Sequence, residues 1–379
     1  MAIQLFVPTF DIEPCLNEIR ECLEKGWTGM GFKTVEFEEK WKEYTGLPYA
    51  HYLSSATVGL NLAYEIMKEK YGWADGDEVI TTPLTFVSTN HAIILNNLKP
   101  VFADVDDTLC LDPISVEKLI TPRTRSILFV GMGGSTGQYE KIVELCKRYH
   151  LKLVLDAAHM AGTRLYGKIP GKEAEVVNYS FQAVKNLPTA DSGIICFARE
   201  DFDAIARKKT WLGINKDTYS RINAGGNYKW RYDVEYVGYK YHGNSIMAAI
   251  ALVQLRCLDK DNAYRRQIVK WYEEGFSAYG DKIKLVRKPE GCESAHHLFQ
   301  IIVDDREGLM TYLNQNEIFP GVHYVSNTDY KMYAYAKGTC PYAEYISEHV
   351  LSLPLHLHLT YHDIRFIISK VVEYVSHEH

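Results

Sequence analysis

Two stretches decide the fold of this chain, Leu153-Val154-Leu155-Asp156-Ala157-Ala158-His159 and Ser180-Phe181-Gln182-Ala183-Val184-Lys185. The first is a short apolar run that ends in a carboxylate, which is typical of a strand buried inside a parallel sheet. The second lies one strand-and-loop length further along the chain and ends in an isolated lysine. Because ligands of such sheets bind beyond the carboxyl ends of the strands, we expect Asp156 and Lys185 to face one ligand.

The chain before Asp156 alternates regularly between helical and strand patterns. Apolar spacing predicts helices over 12–25, 35–44, 58–70, 86–96, 115–120 and 139–149, and strands over 49–53, 78–81, 100–103, 124–130 and 152–155. Strands that alternate with crossover helices predict an α/β fold with a mainly parallel sheet between helices. Ser55 and Thr85, like Asp156, then follow the ends of strands.

The remainder of the chain predicts a loop for Lys185, an irregular segment and a second, smaller domain. Strands over 176–178 and 193–197 bracket the Lys185 loop, and 219–241 shows no helical period, which is typical of a long irregular crossing segment. A helix over 245–278 is followed by strands at 283–287 and 295–303 and helices at 308–314, 343–350 and 361–376. We therefore predict a large ligand-binding domain over 1–244, and the long helix with a small α+β domain over 245–379.

The composition is that of an ordinary globular protein, with 379 residues, 46% of them apolar, and a net charge of −6. This charge favours neither nucleic acid nor an anionic membrane as a partner. The eight cysteines form no Cys-x-x-Cys pair and do not cluster with histidine, so no metal site is expected. No secretory signal pattern and no apolar run of about 18 residues occurs, so we expect a cytoplasmic location.

Asp156 and Lys185 together fit the chemistry of pyridoxal phosphate (PLP). That cofactor needs a lysine amine to bind its aldehyde and a carboxylate to keep its pyridine nitrogen protonated. A carboxylate after an apolar run is costly to bury unpaired, and a pyridinium partner would remove that cost. Each residue alone also has an ordinary interpretation, a solvated surface lysine and a helix-capping or salt-bridged aspartate.

Other polar and aromatic residues extend this candidate site. Ser54-Ser55-Ala56-Thr57 lies at a strand-to-helix turn, where it can cradle a phosphate or simply cap the helix. Ser180 could donate its hydroxyl to the same phosphate. His159 could touch the phenolic oxygen of the cofactor or orient Asp156, and Phe86 could stack on the pyridine ring or belong to the core.

Seven motifs follow one another along nearly the whole chain. They are Ser54-Ser55-Ala56-Thr57, Gly76-Asp77-Glu78-Val79-Ile80-Thr81-Thr82-Pro83-Leu84-Thr85-Phe86, Pro100-Val101-Phe102-Ala103-Asp104-Val105, Asp156-Ala157-Ala158-His159, Ser180 through Lys185, Gly238-Tyr239-Lys240-Tyr241-His242, and Ser347 with Leu351-Ser352-Leu353-Pro354-Leu355. Together they resemble the sugar aminotransferases of the DegT/DnrJ/EryC1/StrS family, which are PLP enzymes of the aspartate aminotransferase fold (fold type I).

The resemblance implies a role for each matching residue. Lys185 would be the catalytic lysine that binds the cofactor, and Asp156 the partner of the pyridinium. The further cofactor contacts that it implies are Ser55, Ala56, Thr57 and Ser180 at the phosphate, Phe86 on the ring, His159 beside the ring hydroxyl, and Lys240 at the phosphate of a neighbouring subunit. The candidate substrate contacts are His323, Tyr324 and Thr85.

Three stretches depart from the common family pattern. Lys240 stands where many relatives have asparagine, so an amine would meet the phosphate or the contact would be absent. Gly131-Met132-Gly133-Gly134-Ser135-Thr136-Gly137 replaces a loop that usually contains histidine and proline. Tyr324-Val325-Ser326-Asn327-Thr328 also differs from the common sequence. We expect the last two differences to affect the choice of substrate.

The resemblance implies an aminotransferase that moves an amino group from an amino acid, expected to be L-glutamate, to a keto-sugar. The expected acceptor is a nucleotide-linked 3- or 4-keto-deoxysugar of amino-sugar or surface-glycan biosynthesis, with a free keto-sugar as the open alternative. The family also implies a homodimer with shared active sites. Two rival functions are a PLP-dependent sugar dehydratase, which carries histidine at the position of Lys185, and a non-catalytic PLP- or sugar-binding sensor, which the intact Lys185, Asp156 and Ser180 disfavour.

Overall fold

The computed structural model describes residues 2–215 and 232–376, and its centre is a seven-stranded sheet. The strands of this region are β1 (Tyr49–Leu53), β2 (Glu78–Thr81), β3 (Lys99–Phe102), β4 (Thr124–Val130), β5 (Lys152–Asp156), β6 (Arg164–Leu165, outside the sheet), β7 (Val176–Ser180) and β8 (Gly193–Phe197). The order in the sheet is β3-β2-β4-β5-β7-β8-β1, and β8 runs antiparallel to both of its neighbours. The remaining pairs are parallel. The predicted mainly parallel α/β fold is confirmed.

Helices connect these strands and are bounded by ordinary sequence signals. They are α1 (Ile12–Glu24), α2 (Phe32–Thr45), α3 (Ala56–Tyr71), α4 (Val87–Leu95), α5 (Pro113–Lys118), α6 (Tyr139–Tyr149) and α7 (Glu200–Lys209). Helix α3 begins after Ser55, whose hydroxyl accepts a hydrogen bond from the Val58 amide at 3.4 Å, and it ends at Gly72 in the left-handed conformation. These are the caps expected at the two ends of a helix.

The central sheet is covered on both faces, as the apolar runs of its strands require. Leu153 and Leu155 belong to one buried cluster, whereas Val154 between them belongs to a second cluster. Successive side chains of a strand point to opposite faces, so the two clusters lie on opposite sides of the sheet. A strand buried on both faces is uniformly apolar, which explains why β5 shows no alternation of polar and apolar residues.

The last third of the chain consists of a long helix followed by a smaller sheet with its own helices. Its elements are α8 (Ser245–Phe276), β9 (Lys284–Leu285), β10 (Cys292–Glu293), β11 (Phe299–Ile302), α9 (Arg306–Gln315), α10 (Pro341–His349), β12 (Val350–Leu353) and α11 (Tyr361–Ser376). Strands β12, β11 and β9 form an antiparallel sheet. The first half of α8 packs in the cluster on the large sheet, through Leu252 and Leu258, and the second half packs in a third cluster, through Ile268 and Tyr272. The predicted domain boundary at 244/245 stays a prediction.

Several elements differ from the sequence-based expectations. Helix α7 was not expected, because its charged composition hides the apolar stripe; it carries acidic residues in its first turn and basic residues in its last, which suits the helix dipole. The expected helix over 343–350 ends one residue earlier, and strand β12 begins there. The strands expected over 283–287 and 295–303 shorten to β9 and β11. Of the expected irregular segment 219–241, residues 219–231 lie outside the described residues, and 232–241 contain isolated bridges at Val234 and Lys240.

The direction of the strands brings the predicted site residues to one edge of the sheet. Strands β1, β2, β5 and β7 all end at this edge, since β8 is antiparallel to both β7 and β1. The loop from β7 to β8, which contains Lys185, therefore turns back at the same edge where Asp156 ends β5. None of the helices within residues 2–215 and 232–376 is long and apolar enough to cross a membrane.

Gly193 allows β8 to lie directly against the start of α3, and a side chain there should disrupt the edge. A Cβ at this position would lie 2.6 Å from the Ala56 nitrogen and 2.8 Å from the Tyr179 oxygen, both of them backbone atoms. We predict that Gly193→Ala lowers the free energy of unfolding by about 1–3 kcal/mol, measured by urea denaturation. The control is Gly280→Ala, where no atom lies within 4 Å of the added Cβ. Equal stability of the two variants would contradict the prediction.

Candidate active site

A cavity of about 460 Å³ opens at the carboxyl edge of the large sheet. All of the predicted site residues except Lys240 line it, namely Ser55, Ala56, Thr57, Thr85, Phe86, Asp156, His159, Ser180, Lys185, His323 and Tyr324. Small-molecule sites typically have volumes of about 300–1,000 Å³, and the volume of this cavity lies within that range. Ser55 and His323, which are 268 positions apart in the chain, thus line the same cavity.

Lys185 stands on a tight turn of the loop between β7 and β8. Its backbone amide donates to the Gln182 oxygen at 2.8 Å, and its Nζ lies 3.5 Å from Nε2 of His297. The residue keeps part of its surface open in the cavity. Desolvation by the surrounding protein lowers the pKa of the Lys185 amine to about 8, against the opposing attraction of Asp156. A substantial fraction of this amine is therefore neutral near pH 7 to 8, as a nucleophilic lysine requires.

Asp156 is buried at the end of β5 with only 4% of its surface exposed. Its carboxylate accepts a hydrogen bond from the Thr89 hydroxyl at 2.8 Å and one from the Ala158 amide at 3.1 Å. Burial raises the pKa of this carboxyl, although these two bonds and the charge of Lys185 oppose the shift. Within residues 2–215 and 232–376, the carboxylate thus has neutral hydrogen-bond donors and forms no ion pair, and a cationic group in the cavity would stabilise its ionised form.

The tautomer of His159 is fixed by its neighbours. The Gly133 amide donates to Nδ1 at 3.2 Å, so the ring proton lies on Nε2, which is 3.1 Å from the Tyr324 hydroxyl. Burial lowers the pKa of this histidine well below its usual value, with Lys185 and His323 adding to the effect. His159 is therefore a neutral residue that donates a hydrogen bond toward Tyr324.

The predicted phosphate cradle is the start of α3. Ser55 precedes the helix in an extended conformation, and Ala56 and Thr57 are its first residues. The backbone amides of a first helical turn have no partner within the helix and attract an anion. Ser180 reaches the same place from β7, where it is the register partner of Gly193. The close approach of Gly193 to the Ala56 amide keeps this end of the cavity compact.

Aromatic and histidine side chains form the outer walls of the cavity. Phe86 is 56% exposed even though it is a large apolar residue, and its ring lies 6.0 Å from that of Tyr324. An exposed aromatic ring at a cavity wall is suited to stacking on a flat ligand. Nδ1 of His323 lies 2.9 Å from the Ser352 hydroxyl, and burial lowers the pKa of His323 to about 4. His323 and Tyr324 bring the last third of the chain to the site.

Lys240 does not reach this cavity. Its Nζ lies 3.3 Å from the centre of the Trp211 ring, and its backbone forms a bridge with the same residue. Desolvation lowers the pKa of the Lys240 amine. Whether it meets the phosphate of a second subunit, as predicted, depends on an assembly, and that role stays a prediction.

The sequence analysis missed some residues that line the cavity. The main ones are Phe6, Thr89, Gln182, Asp191 and His297. Thr89 lies in the first turn of α4, four residues after Thr85, and its hydroxyl is 3.0 Å from the Thr85 hydroxyl. This short separation from a predicted site residue could have identified it. Phe6 and His297 reach the site from segments without a local motif, so no signal in the sequence identifies them.

The cavity fits PLP on features of its own residues. A buried carboxylate whose hydrogen-bond donors are neutral suits the pyridinium nitrogen, and a lysine with a lowered pKa suits the aldehyde. The backbone amides in the first turn of α3 suit the phosphate, and the exposed ring of Phe86 suits a flat heterocycle. The cavity and the fold together define a class of protein, the PLP-dependent aminotransferases of fold type I. A model of the DegT/DnrJ/EryC1/StrS aminotransferase family matches residues 11–372, and the chain belongs to this family.

Similar proteins agree with this assignment. The spore coat polysaccharide biosynthesis protein SpsC of Bacillus subtilis is 32% identical over 95% of this chain and 94% of its own. The aminotransferase TlmJ of Streptoalloteichus hindustanus superposes with a TM-score of 0.90, at 29% identity over 99% of both chains. The putative sugar aminotransferase Spr1654 of Streptococcus pneumoniae, solved in a PLP form, superposes with a TM-score of 0.89. Its sequence is 27% identical, over 99% of this chain and 100% of its own. The family is PLP-dependent, so this chain is a PLP-dependent aminotransferase.

Asp156 should destabilise the chain when no cofactor is bound. Folding raises the pKa of the Asp156 carboxyl, so this group binds more protons in the folded chain than in the unfolded chain. The free energy of unfolding therefore decreases as the pH rises from about 3.9, the pKa in the unfolded chain, through the higher pKa in the folded chain. We predict that Asp156→Asn increases the free energy of unfolding of the cofactor-free chain at pH 7 and weakens PLP binding. Urea denaturation and PLP titration measure the two effects. Asp281→Asn, at an exposed position outside the cavity, is the control, and a cofactor-free Asp156→Asn chain that is less stable than the native chain would contradict the prediction.

Proposed function

We propose that this aminotransferase moves an amino group from an amino acid, L-glutamate, to a keto-sugar that is linked to a nucleotide. The observation that carries the proposal is the meeting of a lysine of lowered pKa and a buried carboxylate at one end of a cavity of about 460 Å³. Membership of a family whose named relatives include a polysaccharide biosynthesis protein supports the choice of a sugar. The resulting amino sugar would serve surface-glycan biosynthesis.

The proposed roles of the residues follow from their places in the cavity. PLP, when bound, supplies an aldehyde that takes up the amino group and a ring that withdraws electrons from the carbon that loses a proton. Asp156 would hold the ring nitrogen in its protonated state, since a cation there compensates the burial of the carboxylate. The amides of Ala56 and Thr57 and the hydroxyls of Ser55 and Ser180 would hold the phosphate.

Lys185 would also move protons during the reaction. Its amine has a pKa of about 8, so it can change between its neutral and protonated forms near neutral pH. A tight turn of the β7–β8 loop, closed by the hydrogen bond from the Lys185 amide to the Gln182 oxygen, keeps the amine near the position of the reacting carbon. We assign Lys185 both the covalent attachment of PLP and the transfer of the proton to and from the substrate carbon.

The acceptor would enter between Phe86, His323 and Tyr324. These residues form the wall of the cavity that does not belong to the proposed phosphate end. Tyr324 takes the hydrogen bond of His159, so its own hydroxyl proton remains available to a polar ligand. A 3- or 4-keto-deoxysugar presents hydroxyl and keto oxygens to such a wall, while its nucleotide would lie at the mouth.

We also propose a homodimer in which each subunit completes the site of the other. Helix α1 supports an interface, because Ile12, Leu16 and Leu23 are 65%, 46% and 61% exposed and recur on one face of the helix. Lys240 is the predicted contribution to the neighbouring phosphate. Its amine lies on Trp211 in a single chain and would have to leave this ring to bind an anion.

Lys185→Ala separates the aminotransferase from its rivals. We predict that the variant still binds PLP but transfers no amino group from glutamate to a nucleotide-linked keto-sugar, because the amine that binds PLP and carries the proton is gone. Mass spectrometry of the sugar product and PLP titration measure the two properties. Lys172→Ala, an exposed lysine in a turn, is the control and should keep full activity. Removal of a hydroxyl by the native chain would support the dehydratase, and sugar binding without any turnover would support the sensor.

Mixing two variants, one inactive and one of lowered activity, tests the shared site. If Lys240 reaches the phosphate of its neighbour, Lys240→Ala should lower activity and should weaken PLP binding in the neighbouring site. We predict that a refolded mixture of Lys185→Ala and Lys240→Ala recovers part of the native activity, because a mixed dimer contains one site with neither change. A fully active Lys240→Ala, or a mixture that recovers nothing beyond the separate variants, would contradict the arrangement.

A further inference from the structure

His297, which no sequence motif identifies, lies within hydrogen-bonding distance of the Lys185 amine. It lies just before β11, only 1% of its surface is exposed, and its Nε2 is 3.5 Å from Nζ of Lys185. Phe6 stacks in parallel on one face of its ring at 5.3 Å, and the His159 ring lies 4.4 Å away. The imidazole is therefore held in one orientation from several sides.

A chain of hydrogen bonds decides which nitrogen of His297 carries the proton. Asn262 donates through Nδ2 to the Ala161 oxygen at 2.9 Å, so its Oδ1 is the acceptor that faces Asn186. Asn186 then donates through Nδ2 to Asn262 at 2.9 Å and to the Ala295 oxygen at 2.7 Å. The amide of Asn186 can be oriented in one way only, with Oδ1 toward Nδ1 of His297 at 3.2 Å.

This orientation leaves a lone pair directed at the lysine. Since Asn186 Oδ1 can only accept, Nδ1 of His297 must carry the proton and Nε2 must be the acceptor. Burial lowers the pKa of His297 well below its usual value, and Lys185, His159, His323 and Arg265 act in the same direction. The ring thus stays neutral and keeps its lone pair on the side of Lys185.

We propose that His297 is a positioning residue that accepts a hydrogen bond from the Lys185 amine and so fixes the place and the ionisation of that amine. The proposal rests on the proposed role of Lys185 in the transfer reaction. His297 holds the ammonium form without taking its proton, because the imidazole remains neutral. Asp156 faces Lys185 and its charge stabilises the ammonium, whereas His159 and His323 are neutral. The other titratable groups that share a cavity with Lys185 are Tyr324, Asp191, Asp261, Arg265 and His356.

The two nitrogens of His297 can be replaced separately. Glutamine places an amide oxygen near the position of Nε2, whereas asparagine can replace only the group near Nδ1. Phenylalanine keeps a flat ring against Phe6 but has neither nitrogen. His296→Asn is the matched control, because this neighbouring residue lines a different cleft with Arg266 and Lys288 and has a left-handed backbone that asparagine tolerates.

The experiment measures the pKa of the Lys185 amine in the full chain without bound PLP. Acetic anhydride acetylates only neutral amines, so mass spectrometry of the Lys185 peptide across pH 6 to 10, relative to the exposed Lys172, gives the midpoint. We expect a midpoint near 8 for the native chain and for His297→Gln. His297→Phe and His297→Asn should lower it by about one pH unit, through loss of the acceptor for the ammonium. Circular dichroism before labelling confirms that each variant is folded.

Three results would overturn the proposal. The first is a Lys185 midpoint that does not change in His297→Phe. The second is a native midpoint in His297→Asn but not in His297→Gln, which would mean that His297 only supports Asn186. The third is a shift of the Lys185 midpoint in His296→Asn as large as that in His297→Phe. The labelling does not depend on turnover, so it is separate from the proposed function. If the native chain transfers amino groups but the midpoints of the His297 variants do not change, only the role of His297 is overturned. If the midpoints shift as expected but the native chain transfers no amino group, only the proposed function is overturned.

Discussion

The burial of the Asp156 carboxylate is the constraint on which the site depends. It ends a central strand of the large sheet, is almost fully covered, and receives hydrogen bonds from the neutral Thr89 hydroxyl and Ala158 amide. Removing an ionised carboxylate from water costs on the order of several kcal/mol, even after the protein relaxes around it. Two neutral donors offset part of this cost, and burial still raises the pKa of the carboxyl. A cationic ring nitrogen in the cavity is the group that would remove this cost.

The sequence predicted the parts of the site that local rules control. Strand ends, helix starts and the β7–β8 loop follow from short-range patterns, and the parallel sheet then brings Asp156, Lys185 and Ser55 together. Phe6 and His297 could not be found in this way, because their place at Lys185 depends on how distant segments pack on the large sheet. Helix α7 was missed for a different reason, since its many charges conceal the residues that it buries.

The structure explains two of the glycines in the segment 131–137 by their packing and hydrogen bonding. A Cβ at Gly131 would lie 2.0 Å from Sδ of the buried Met160, so a side chain there would displace the methionine. Gly133 contributes its amide to Nδ1 of His159. The segment thus fixes the tautomer of His159 and, through it, the hydrogen bond to Tyr324. Its expected effect on the substrate would act through this chain of contacts.

The central claim is that Lys185 carries PLP by a covalent bond while Asp156 neutralises its ring. The most direct measurement is reduction of the PLP-loaded chain with borohydride, followed by proteolysis and mass spectrometry. The account predicts a pyridoxyl group on the peptide that contains Lys185, in nearly every molecule. A fully loaded chain in which this peptide remains unmodified, or in which another lysine carries the group, would contradict it.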